Sequence, residues 1–170
     1  MDCLEFLHKE GWDTTIPIEI PERRGQTLDP SGVRLCFASR QYLRERFPKG
    51  LYVHQLEAIS RYCNGEDVCV LTSTASGKSL PFYVASIEIL RSDPQSRIVA
   101  VYPPKALGRE QQERWQDAID AAGLDVKVGR IDGGVSGTDR TGVMQRCRAV
   151  VMTPDIVHAW LLSGISEERT

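Results

Sequence analysis

The stretch that decides the fold reads Thr72-Ser73-Thr74-Ala75-Ser76-Gly77-Lys78-Ser79, and it ends in the three residues that a phosphate-binding loop requires. In such a loop several backbone N–H groups face phosphate oxygens, and the helix that follows directs its positive end toward them. Gly77 lets the main chain come close, Lys78 bridges the β- and γ-phosphates, and the Ser79 hydroxyl ligates Mg²⁺. The stretch therefore predicts that the chain holds a nucleoside triphosphate.

The sequence on both sides of the loop favours the same interpretation. Residues 67–71, Asp-Val-Cys-Val-Leu, form a short apolar run that is typical of a buried parallel strand. After the loop, Pro81 falls in a first helical turn, where its missing N–H costs little. Apolar residues then recur at helical spacing: Leu80, Tyr83, Val84, Ile87 and Leu90. The strict pattern has a glycine where this chain has Thr72, and the alternative is a solvated Ser/Thr loop before a core helix.

Length and composition limit the number of domains and the class of protein. With 170 residues, 41% of them hydrophobic, the chain is long enough for one globular domain with its own core. A net charge of −2 leaves nucleic-acid binding open, because 21 Lys and Arg residues can still form a local basic groove. The five cysteines are spread without a Cys-x-x-Cys pair, which indicates reduced thiols. Neither a leader pattern nor a run of 18 apolar residues occurs, so we expect a cytoplasmic protein with no membrane partner.

Two regions of the chain differ in rhythm. Residues 1–50 read as an amino-terminal extension packed on the core, with predicted helices at 3–10 and 39–47 and an extended segment at 14–20. Residues 51–170 alternate helices and strands at the spacing of an α/β fold. The further predicted elements are helices at 54–63, 105–122 and 154–163 and strands at 97–102, 126–131 and 149–152. This alternation predicts a parallel sheet with helices on both faces.

Smaller motifs follow one another around this loop. They are Leu51-Tyr52-Val53-His54-Gln55 before it, and Tyr102-Pro103-Pro104-Lys105-Ala106-Leu107, Asp132-Gly133-Gly134 and Met152-Thr153-Pro154-Asp155-Ile156-Val157-His158 after successive strands. Over about residues 15–163 the chain resembles the first RecA-like domain of superfamily 2 DEAD/DEAH-box helicases, and in particular the YprA-like DNA helicases. The resemblance implies a RecA-like P-loop NTPase fold, ATP and Mg²⁺ as cofactors, and DNA as partner, as a single strand or a duplex end, with RNA not excluded.

The resemblance also implies which residues contact the nucleotide. Gln55 would read the adenine edge, because one side-chain amide donates and accepts at once; the alternative is an exposed polar residue at a helix start. Tyr52 would either stack on the base or fill the core. The loop residues Ser73, Thr74, Ala75, Ser76, Gly77, Lys78 and Ser79 would hold the phosphates, with Lys78 and Ser79 as the catalytic pair and Ser79 as the Mg²⁺ ligand.

A second set of residues would contact a nucleic-acid strand. Lys105 opens a predicted helix where this family grips the strand's backbone, although Pro104 replaces the family's threonine and removes a hydroxyl and an N–H. Gly133 and Gly134 would let the main chain approach a phosphate, and Thr153 offers a hydroxyl at a helix start. A solvated lysine, a plain turn and an ordinary N-cap are the corresponding alternatives.

In this family the Walker B carboxylates, which hold Mg²⁺ and position the attacking water, follow the next strand. No apolar strand precedes Glu167-Glu168, so we expect a partial RecA-like domain, truncated before this motif and lacking the second RecA-like domain.

Three functions then remain open. The chain is the amino-terminal part of a longer ATP-dependent DNA helicase or translocase and inactive alone, or a stand-alone module that binds nucleotide or nucleic acid without hydrolysis and acts with a partner, or an unrelated small phosphate-loop enzyme such as a kinase. A small phosphate-loop kinase needs arginines in a lid over the nucleotide and a site for the acceptor substrate, and the sequence shows neither arranged after the loop.

Overall fold

Three short parallel strands form the centre of the computed structural model, which describes residues 25–103 and 108–162 together with Lys9. The elements, in chain order, are β1 (Thr27–Leu28), one tight helical turn (Pro30–Gly32), α1 (Phe37–Arg46), β2 (Leu51–Tyr52), α2 (Val53–Cys63), α3 (Ser79–Ser92), β3 (Ile98–Val101), α4 (Gly108–Ala121), β4 (Val128–Ile131), α5 (Gly137–Arg146), β5 (Ala149–Met152), α6 (Pro154–Ile156) and a π-helical stretch (Val157–Leu162).

The central sheet has the order β3–β5–β4, with both pairs parallel. Val101 of β3 and Ile131 of β4 both stand opposite Met152, the last residue of β5. The three strands therefore end at one edge, and the segments that follow them lie side by side there. This confirms the prediction of an α/β fold with a parallel sheet.

Helices cover both faces of the sheet, as predicted, because strand residues alternate between the faces. On one face Val128 and Val151 pack against Trp115 and Ile119 of α4. On the other face the core consists of Ile131, Val150, Met152 and Ile156, with Val143 and Met144 of α5 packed against it. Along β3 this second face is open, since Val99 and Val101 are 40% and 46% exposed.

The strand predicted at residues 67–71 is wrong. The segment contains no β-bridge to any described residue, and Leu71 at its end is 89% exposed. Its β-branched composition gives it a strand propensity, but a strand forms only where a neighbour supplies backbone partners. None of the described strands pairs with it.

The helix α5 was not predicted from the sequence. Its residues Gly137 and Gly142 are weak helix formers, and none of its side chains is fully buried. Ser136 starts the helix by accepting the N–H of Asp139. A Cβ on Gly129 would lie 2.4 Å from Val143 Cγ1, so the glycine in β4 lets α5 pack directly on the sheet.

Residues 25–50 pack on the same core as the rest of the described chain. Tyr42 and Leu43 of α1 share a buried cluster with Leu80 and Ile87 of α3, and the backbone N–H of Cys36 donates to the Glu88 carboxylate at 2.9 Å. The helix predicted at 39–47 is confirmed as α1. The elements predicted at 3–10 and 14–20 lie outside the described residues apart from Lys9, and the division at residue 50 stays a prediction.

Candidate nucleotide-binding site

The loop at residues 72–79 leads directly into α3, whose first residue is Ser79. The helix buries Leu80, Val84, Ile87 and Leu90 along one side, in agreement with the predicted spacing. Its positive end therefore faces the loop. Two loop residues have a left-handed backbone, Gly77 with φ +73° and Ala75 with φ +59°. Only glycine adopts this conformation without cost, so the loop carries strain at Ala75.

Lys78 folds back onto its own loop. Its Nζ donates to the carbonyl oxygens of Thr72 at 3.1 Å and of Ser73 at 2.6 Å. The ammonium group thus lies inside the turn that residues 72–78 make. The hydroxyls of Thr72 and Ser76 meet across the same turn at 2.5 Å. The loop is closed around its cation by its own backbone.

Two neighbouring side chains at the start of α2 hold the other end of the loop. The ring Nε2 of His54 lies 3.0 Å from the carbonyl oxygen of Ser76, and Gln55 Nε2 donates to the carbonyl of Gly77 at 3.0 Å. Gln55 is buried, and its Oε1 accepts the backbone N–H of Tyr52 at 3.0 Å, which fixes the amide at the helix start. Gln55 is therefore not the exposed polar residue of the alternative interpretation.

A cleft of about 340 Å³ opens between the start of α2 and the loop. Its lining comprises Gly25, Gln26, Tyr52, Val53, His54, Ser73, Thr74, Ala75 and Ser76. Tyr52 is 41% exposed, and its ring stacks on that of His54, with ring centroids 5.8 Å apart and planes inclined by 13°. Tyr52 therefore borders the cleft and does not fill the core.

Aromatic side chains lie beside Ser79. Tyr83, one turn along α3, meets Trp115 edge to face at 4.8 Å, and Trp115 Nε1 donates to the Tyr102 hydroxyl at 3.0 Å. Burial, with Tyr102 as a smaller contribution, raises the pKa of Tyr83 to about 12, while its side-chain hydrogen bond with Ser79 lowers it. At neutral pH the phenol therefore keeps its proton next to the Ser79 hydroxyl.

A groove of about 490 Å³ runs from Lys78 and Ser79 along the open edge of β3. A third cavity, of about 510 Å³, lies at α1 between Leu28, Phe47 and the basic side chains Arg40, Arg44 and Lys49. The loop does not line this third cavity, so only the first two belong to the candidate site.

The residues predicted to contact nucleic acid fall at the edge where the parallel strands end. Gly133 and Gly134 follow β4, and Gly134 N–H donates to the Asp132 carboxylate at 2.9 Å, so the segment is a turn. Thr153 follows β5 and is buried, and its hydroxyl has no hydrogen-bond partner among the described residues. Lys105 lies outside the described residues.

Within residues 25–103 and 108–162, no group of three or more His, Cys, Asp or Glu side chains is placed to hold a metal ion. No helix in this part of the chain is long and apolar enough to cross a membrane. The predicted Mg²⁺ ligand is the Ser79 hydroxyl, at the start of α3.

His54 is the residue of this site that the sequence did not single out. It stands in the quoted motif Leu51–Gln55, but one histidine beside a glutamine carries no metal or catalytic spacing. The contact between His54 and Ser76 spans 22 residues of sequence. Its only signal in the sequence is its position next to Gln55.

Known proteins resemble the chain over most of its length. The DEAD/DEAH box helicase family model matches residues 52–170. ATP-dependent helicase HRQ1 of Saccharomyces cerevisiae is 31% identical over 173 residues, which cover 92% of this chain and 16% of that protein. Uncharacterized ATP-dependent helicase YprA of Bacillus subtilis is 32% identical over 66% of this chain and 15% of its own length.

A solved structure agrees with these relatives. The crystal structure of the DUF1998 helicase MrfA bound to DNA and AMPPNP matches with a TM-score of 0.78 at 26% identity, over 98% of this chain and 24% of that chain. The chain thus spans less than a quarter of each of these three proteins. Since the family model covers more than half of its residues, the chain belongs to the DEAD/DEAH box helicase family.

Proposed function

We propose that this chain is the ATP- and nucleic-acid-binding amino-terminal part of an ATP-dependent DNA helicase or translocase. The observation that carries the proposal is the loop at residues 72–79, which encloses the Lys78 ammonium directly before α3. Membership of the DEAD/DEAH box helicase family supports it. The related MrfA structure, which contains DNA and AMPPNP, supports both ligand classes.

The loop offers hydrogen-bond donors that suit the phosphates of ATP. Gly77 provides close backbone approach, and Lys78 exchanges two carbonyl oxygens for phosphate oxygens, which carry full negative charge. Ser79 supplies one hydroxyl toward Mg²⁺, which suits an ion that takes its remaining ligands from phosphate oxygens and water. When bound, Mg²⁺ neutralises negative charge on the phosphates.

The cleft beside the loop fits the base of ATP. Tyr52 presents an exposed ring there, on which a base can stack. Gln55 uses one N–H and one lone pair in the contacts described above, and its amide retains a second of each for an adenine edge. In the proposal Tyr52 and Gln55 have the roles that the family resemblance implies.

The edge where β3, β4 and β5 end fits a nucleic-acid strand. Gly133 and Gly134 offer an exposed turn without side chains, to which a phosphate can come close. The buried hydroxyl of Thr153 lacks a partner within the part of the chain that the structure describes, and it would gain one when a phosphate approaches the start of α6. Lys105 completes this set in the proposal. Cyclic opening and closing against a second RecA-like domain would move the strand along this edge.

The proposal includes a cytoplasmic location. Cys36, Cys63, Cys69 and Cys147 are free thiols in the described part of the chain. Free thiols are typical of reducing compartments.

Titration with fluorescent ATP and Mg²⁺ tests the nucleotide site. We expect Lys78→Ala to abolish measurable binding, because no other described cation lies within the loop's turn. Lys127→Ala is the matched control, since Lys127 is exposed and lies outside both site cavities. Equal affinity of Lys78→Ala and the unchanged protein would overturn the proposal.

Steady-state ATP hydrolysis tests the expectation that this chain binds ATP but does not hydrolyse it alone. We expect negligible turnover from these 170 residues alone, because the Walker B carboxylates that the family uses are not among the motifs of this sequence. Turnover that DNA stimulates and Lys78→Ala removes would contradict this expectation.

A further inference from the structure

His54 and Gln55, adjacent at the start of α2, hold two consecutive carbonyl groups of the phosphate loop. His54 Nε2 contacts the Ser76 carbonyl and Gln55 Nε2 the Gly77 carbonyl, each at 3.0 Å. Both side chains come from one helix turn, so the two carbonyls are fixed against the same rigid element.

Holding a carbonyl also fixes an N–H group. Each peptide unit is planar and trans, so its C=O and its N–H point in opposite directions. All described peptide bonds are trans. The Ser76 carbonyl shares its peptide plane with the N–H of Gly77, and the Gly77 carbonyl shares its plane with the N–H of Lys78. With the carbonyls turned toward α2, these two N–H groups are turned away from it.

We infer that His54 is a positioning residue for phosphate binding, which directs the N–H of Gly77 toward the phosphates by holding the Ser76 carbonyl. The inference rests on the proposed nucleotide-binding function. It requires hydrogen on Nε2, as in the Nε2-protonated neutral tautomer or in the charged ring. Gln55 does the same for the N–H of Lys78.

The His54 ring is itself held in place. Tyr52 stacks on it nearly in parallel, and a Cβ on Gly25 would lie 2.5 Å from Tyr52 Cε1. The main chain at Gly25 therefore packs against the Tyr52 ring, and the Tyr52 ring packs against His54. This packing limits the rotation of the ring away from Ser76.

These two side-chain contacts are needed because the sequence alone does not fix the backbone conformation of the loop at Gly77. Glycine has access to several conformations in which the N–H of residue 77 would point elsewhere. Lys78 holds the carbonyls of Thr72 and Ser73, which lie at the opposite end of the loop. When Lys78 turns to the phosphates, His54 and Gln55 are the two side chains described above that still hold the loop's backbone.

Two substitutions of His54 separate its hydrogen bond from its packing. His54→Gln places an Nε2–H donor three bonds from Cβ, as in histidine, whereas His54→Leu keeps bulk and removes the donor. The probes are ATP with Mg²⁺ and inorganic tripolyphosphate, which lacks base and ribose. Ser60→Ala, on the same helix, is the control for general effects on α2.

We expect His54→Leu to bind both probes roughly 5- to 10-fold more weakly, the effect of about one hydrogen bond, and His54→Gln to recover most of the loss. An equal loss in the Gln and Leu variants, or a loss for ATP but not for tripolyphosphate, would overturn the positioning role. Lys78→Ala separates the two claims. If it binds like the unchanged protein, the nucleotide site itself fails. If it abolishes binding while His54→Leu has no effect, only the inference fails.

Discussion

Gly77→Ala is the substitution that tests the loop conformation most directly. Gly77 has φ +73°, and a Cβ added there would lie 2.4 Å from Gln55 Nε2. Gln55 cannot simply swing aside, because its amide is buried and holds the Gly77 carbonyl and the Tyr52 N–H. The new methyl group therefore acts on both the backbone and a buried hydrogen bond.

The expected cost follows from these two effects. A left-handed backbone costs a non-glycine residue about 1–2 kcal/mol. Displacing the Gln55–Gly77 hydrogen bond costs about 1 kcal/mol more. Together they lower the free energy of unfolding by about 2–3 kcal/mol.

Urea unfolding followed by circular dichroism measures this loss. For a urea dependence of about 2 kcal/mol per molar, the midpoint falls by about 1–1.5 M. Ala75→Gly is the matched control in the opposite direction, since Ala75 already has φ +59°. We expect a change within about 0.5 kcal/mol there, because relief of strain offsets the greater freedom of glycine in the unfolded chain. Unchanged midpoint and unchanged ATP affinity in Gly77→Ala would refute the left-handed conformation of residue 77.

Two further predictions concern the framework around the site. Arg148→Ala should lower the free energy of unfolding by about 2–3 kcal/mol, because the guanidinium donates to the carbonyls of Leu90, Asp93 and Ser96 near the end of α3; urea midpoints equal to the unchanged protein's would contradict this. Burial raises the pKa of Tyr42 and Tyr83 from 10.0 to about 12, so the folded state favours their neutral form. Their contribution to stability is therefore complete below pH 10 and is lost as the pH rises toward 12. Ultraviolet titration should show tyrosine ionisation near pH 12, and Tyr83→Phe should remove part of this late step. Titration of every tyrosine near pH 10 would contradict the burial argument.

The sequence predicts those parts of the fold that depend on local patterns. Leu80, Val84, Ile87 and Leu90 mark the buried side of α3 through their spacing alone, and the apolar residues of β5 mark a strand buried on both faces. The Gly-Lys-Ser ending predicts a phosphate loop because phosphate binding requires those residues in that order.

What the sequence could not predict depends on contacts between distant residues. Residues 67–71 have the composition of a strand, but strand formation needs partners that composition does not reveal. The helix α5 has a weak pattern of its own and depends on Gly129, a glycine of the preceding strand. The contact of His54 with Ser76 follows from tertiary geometry that no motif encodes, because the two residues are 22 positions apart.

The folded-back Lys78 has a consequence for which anions the loop accepts. An arriving anion competes with the Thr72 and Ser73 carbonyls, which are always present and need no diffusion to reach the ammonium. A ligand that binds only the opened loop has its affinity reduced by the fraction of molecules in which the loop is open. Inorganic phosphate, with few oxygens, gains little from displacing these internal competitors, whereas a triphosphate gains contacts along the whole turn. If the loop has the proposed function, we expect its closed form to favour long polyphosphates over the single phosphate ion.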